Sequence, residues 1–97
     1  MENKGYQWIE EWYLENQAEE WGGTTSVKIE TIDNPGWSVK INLQETNLEN
    51  KSFNDFFDDK SEDDWILCEV KEGFFHGVGD AKKLSTILNI FKEWAEG

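Results

Sequence analysis

Residues 27–43 read VKIETIDNPGWSVKINL. In the second half, Trp37, Val39, Ile41 and Leu43 alternate with Ser38, Lys40 and Asn42. A period of two is the pattern of a strand with one face buried. In the first half, Val27 and Ile29 alternate with Lys28 and Glu30. Between the halves stands Asp33-Asn34-Pro35-Gly36, where Pro presets its own φ and Gly tolerates φ > 0. The stretch is a β-hairpin, and the fold is expected to centre on it. Partners across an antiparallel pair share a face and a constant sum of residue numbers. Pairing Ile29 with Val39 or Ile41 makes that sum even, whereas a plain four-residue loop makes it odd. The turn is therefore expected to hold a bulge or an odd loop, with Gly36 in the left-handed position. If Ile29 faces Ile41, Glu30 faces Lys40.

Working outward, residues 6–20 predict an amphipathic helix, with Trp8, Ile9, Trp12 and Tyr13 on one stripe. Gly22-Gly23 ends it, and Trp21 is expected to tuck that end against the sheet. Beyond the hairpin, residues 44–64 carry no clean period; a short edge strand is expected near 52–57, and an acidic loop over 58–64. Residues 65–75 predict a second hairpin around Glu72-Gly73. Its register pairs Val70 with Phe75, Cys68 with Gly77, and Glu69 with His76. One face then carries Ile66, Cys68, Val70 and Phe75. The other carries Trp65, Leu67, Phe74 and Val78, with Glu69 and His76 among them. Gly77 and Gly79 are expected to loosen the last strand. Asp80 reads as the N-cap of a closing helix over 81–95, where Leu84, Ile87, Leu88, Phe91, Trp94 and Ala95 recur at three and four residues. The expected architecture is α+β in one domain, 1–97: an N-terminal helix, an antiparallel sheet of about four strands and a C-terminal helix, both helices on one sheet face.

Composition narrows the function classes. The aromatic fraction of 14% argues for a packed core despite the high charge, because disordered acidic chains lack rings. A net charge of −12 disfavours nucleic acid and anionic membranes and favours cationic partners. A single cysteine excludes an internal disulfide; no signal peptide or spanning run is read, so a cytoplasmic setting is expected. Catalysis finds little support. His76 is the one histidine, Cys68 falls on the core face, and no nucleophile-elbow or phosphate-loop pattern occurs. The loop 58–64 lacks the glycine and twelfth-position Glu of a calcium loop, so neither metal nor cofactor is expected. Trp65, Leu67 and Phe74 are informative because they point away from the face the helices should cover. Either residues 48–57 fold over them, which is the simpler expectation, or they form a patch for a partner. In the second case Asp58, Asp59, Glu62, Asp63 and Asp64 are rim charges around a centre of Trp65, Phe74 and His76. A regulatory interaction domain of another kind fits the same composition.

Five stretches carry a resemblance: WIEEWYLEN, the opening VKIETIDNPGWSVKINL, DWI-x-C over 64–68, FFHGVGD, and the closing L-x-x-I-L-x-x-F-x-x-W. Together they resemble the immunity protein 53 family of bacterial polymorphic toxin systems over nearly the whole chain. The resemblance implies a small cytoplasmic protein, not an enzyme, that binds and neutralises a cognate toxin. The family pattern carries a Cys and a W-E-H triplet after the first helix. Here residues 17–23 read QAEEWGG, which keep Trp21 and an acidic neighbour but lack the Cys and the His. Asp33, Asn34, Pro35 and Gly36 match the family, and turn chemistry alone accounts for them.

Overall fold

A computed structural model describes residues 4–16, 26–33 and 35–97. The elements are α1 (Lys4–Asn16), β1 (Ser26–Ile32), β2 (Gly36–Asn42), β3 (Phe56–Ser61), β4 (Asp64–Lys71), β5 (Phe74–Gly79) and α2 (Leu84–Glu96). The fold is α+β, with five antiparallel strands where about four were expected, in the order β1-β2-β5-β4-β3. The expected positions of Gly22-Gly23 and Trp21 lie outside the described residues.

The first hairpin pairs Ile29 with Val39 and Ile32 with Gly36, so three residues make an odd loop. Glu30 therefore faces Ser38, not Lys40, and Lys28 faces Lys40. Like charges opposite one another are unfavourable. Each finds relief nearby: Lys28 lies 3.9 Å from Glu30, and the Lys40 ammonium 5.2 Å from the Phe74 ring centre. Gly36 does not take the left-handed conformation. It is buried, and a side chain there would strike the Gly79 carbonyl.

The second hairpin has the expected register throughout. Its loop residues, Glu72 at φ 57° and Gly73 at φ 85°, are both left-handed. That conformation matches the twist of the flanking strands in two-residue hairpins. Gly77 and Gly79 are fully paired strand residues rather than a loosened end. The edge strand falls at 56–61, four residues beyond its expected start. Most of the expected acidic loop is strand: Asp58 and Asp59 lie in β3, Asp64 in β4, and Glu62 and Asp63 form the turn.

Both helices cover one face. The core on that side joins Val39, Ile41, Ile66, Cys68 and Phe75 of the sheet to Ile9, Trp12, Ile87, Leu88 and Phe91 of the helices. Its rings meet edge to face, with centres 5.1 Å apart for Trp12–Phe91 and 5.0 Å for Phe75–Phe91. Residues 43–55 close the same side. Leu48 is buried, and the Phe53 ring stands edge-on to Phe75 and Trp94. Lys51 Nζ donates to the carbonyls of Trp94 (2.6 Å) and Gly97 (2.8 Å), a cation at the negative end of α2. The helix starts three residues later than expected, because Asp80 serves the sheet rather than an N-cap.

Candidate functional site

The opposite sheet face carries no helix among the described residues. Period two and the register place its side chains in rows. One row runs Glu30, Ser38, Val78, Leu67, Phe57. Trp65 and its partner Asp59 lie at one end of that face; Lys40, His76 and Glu69, then Phe74 and Lys71, lie toward the other. Trp65, Leu67, Phe74, His76 and Val78 are partly buried by their neighbours, and Phe57 is 65% exposed. Residues 48–53 do not fold over them, because Leu48 and Phe53 pack on the helix side.

The structure separates the expected rim charges. Asp59 shares the open face with Trp65, and with Ser61 and Glu62 they line one shallow depression. Asp63 lies beside Glu62 in the exposed turn. Asp58 pairs with Ile66, so it points to the helix side, where it lies 3.5 Å from Lys60. Asp64 is engaged: Lys83 Nζ donates to its Oδ1 at 2.8 Å. Phe74 and His76 come together in a second depression with Lys40, Glu69, Lys71 and Glu72. Ser38 Oγ lies 3.3 Å from His76 Nε2.

Behind Trp65 is a clasp that the sequence reading did not find. Asp80 is only 3% exposed. Its Oδ2 accepts from the Trp65 amide (2.9 Å) and Lys83 Nζ (2.7 Å), and its Oδ1 from the Lys82 amide (2.8 Å). The Asp80 amide in turn donates to the Trp65 carbonyl at 3.1 Å. Trp65 is thus fixed on both backbone groups. Burial pushes the Asp80 carboxyl up, but hydrogen bonds from Lys83, Lys82 and Trp65 outweigh it and hold it at about 2. The Lys83 hydrogen bond lowers Asp64 too, and Asp64 and Asp80 together raise Lys83. Across the core, burial pushes the Cys68 thiol up to about 12, so it stays protonated and unreactive at neutral pH. Among the described residues, no three His, Cys, Asp or Glu side chains stand together to hold a metal. Nor is any helix there long and apolar enough to cross a membrane.

Fold and site together define a two-layer α+β domain, with helices on one face of its sheet and rings and charges on the other. The chain belongs to the immunity protein 53 family, whose model matches residues 6–96. The family is one of immunity proteins, which act against toxins. No curated protein and no solved structure matches the chain.

Proposed function

We propose that this chain neutralises its cognate toxin in the cytoplasm by stoichiometric contact, covering the toxin's working surface rather than modifying it. Family membership supports a toxin as the partner. The observation that carries the contact model is the open sheet face, where apolar side chains lie beside Trp65, whose backbone is clasped by Asp80, and are edged by carboxylates. Rigid aromatic anchors with a polar rim are the usual energetic centre of protein interfaces. In this reading Trp65, Phe74 and His76 are contact residues spread along the face, and Asp59, Glu62 and Asp63 are rim charges at the Trp65 end; Asp58 points to the helix side and takes no part. Asp64 holds the clasp that positions Trp65. The net charge of −12 favours a cationic toxin, such as a nuclease, through faster encounter.

The test mixes the purified chain with its candidate toxin, sought in the neighbouring gene, and titrates toxin activity against added chain. One equivalent should abolish activity, and calorimetry should give a one-to-one complex. Complete inactivation by a small fraction of an equivalent would show turnover and overturn the contact model. Full toxin activity at excess chain would overturn the toxin assignment.

A further inference from the structure

Resting on that reading, we infer that the open face fixes the orientation of the toxin, because the two ends of the face have different charge. At the β3–β4 end, Asp59 and Glu62 line a depression with Trp65, and Asp63 follows in the adjoining turn. At the other end, Lys40 and Lys71 flank Phe74 and His76, with Glu69 and Glu72 beside them. Trp65 and Lys71 lie on the same face of β4, six residues apart, or about 20 Å along the strand. That exceeds the screening length of roughly 8 Å at physiological salt, so a partner meets the two ends as separate charges. Lysines at one end of a face are notable in a chain with 9 Lys+Arg against 21 Asp+Glu. Between the ends run Val78, Leu67 and Phe57, and the last stands 65% exposed on an edge strand. The toxin surface that fits is apolar in the middle, basic where it meets Asp59 and Glu62, and carboxylate-bearing where it meets Lys40 and Lys71. The reversed orientation sets carboxylates against Asp59 and Glu62 at one end and gives up the lysine contacts at the other, where Glu69 and Glu72 balance Lys40 and Lys71.

The experiment measures affinity of the purified toxin domain for four variants, with unfolding midpoints recorded alongside. Phe57→Ser should weaken binding at least tenfold without moving the midpoint. Asp59→Lys with Glu62→Lys should weaken it at least tenfold. Lys40→Glu with Lys71→Glu makes the chain still more acidic, yet should also weaken binding at least fivefold. Glu93→Lys, on the helix side, should change affinity less than twofold. Unchanged or tighter binding by the lysine-reversed variant would overturn the orientation and leave toxin binding intact. Unchanged binding by Phe57→Ser would overturn the face itself. A wild-type chain that does not bind the toxin would overturn both this inference and the function it rests on.

Discussion

Gly77 shows how much a single position decides. It sits mid-strand between Cys68 and Val39, where glycine forfeits packing and chain entropy. The reason lies above it. A Cβ at Gly77 would stand 2.5 Å from Ile87 Cγ2 and 3.3 Å from Cys68 Sγ. Ile87 is fully buried on α2, so it has no free space to move into. The missing side chain is what lets the helix lie close on the sheet. Gly77→Ala should therefore destabilise the chain by about 1–3 kcal/mol, as overpacking does in dense cores. Urea unfolding measures this, and an unchanged midpoint would mean α2 is seated by other contacts. Phe57 is the opposite case. At 65% exposed it contributes little to the packing of the core.

At the scale of elements, the clasp joining β4 to the α2 approach governs pH behaviour. Asp80 titrates at about 2 in the folded chain against 3.8 ordinarily. A folded value below the unfolded one means the ionised form stabilises the fold above about pH 4, and that contribution is lost as pH falls toward 2. Lys83 is raised above 10.5, so its share is complete below that value and is lost as pH rises through the higher folded one. Asp80→Asn keeps the shape but loses the charge pairing with Lys83. It should lower the thermal midpoint at pH 7 and flatten the fall in midpoint between pH 4 and pH 2. An acid profile parallel to the parent's would remove the clasp from the account. The same clasp explains where sequence reading stopped. The β4–β5 hairpin was legible because a two-residue loop sets its register locally, and that register placed Trp65, Phe74 and His76 on one face. β3 was not legible. As an edge strand its residues are nearly all exposed, so no alternation betrays its faces and Phe57 could not be assigned to one. Asp80 has the residue type of an N-cap. Its carboxylate instead satisfies the Trp65 amide, fifteen residues earlier, a contact that only the folded sheet creates.

For the whole molecule, charge acts on rate before it acts on affinity. A partner about one screening length from the surface is insensitive to Trp65 or Leu67, but it does feel a surface with 21 Asp+Glu against 9 Lys+Arg. Not every carboxylate contributes equally. Asp80 is buried, and Lys83 bridges Asp80 and Asp64 and cancels one of their two charges, so much of the outward field at the β3–β4 tip comes from Asp59, Glu62 and Asp63. Asp59→Lys with Asp63→Lys should slow association with a basic toxin about tenfold at low salt, within the range electrostatic steering commands, and should flatten its dependence on ionic strength. Dissociation should change less, because rim charges stay hydrated in the complex. Reversing Asp64 instead would break its bond to Lys83 and should register first as lost stability. Stopped-flow association from low to high salt separates these cases. Equal low-salt rates for parent and double variant would show that the net charge of −12 serves solubility rather than capture.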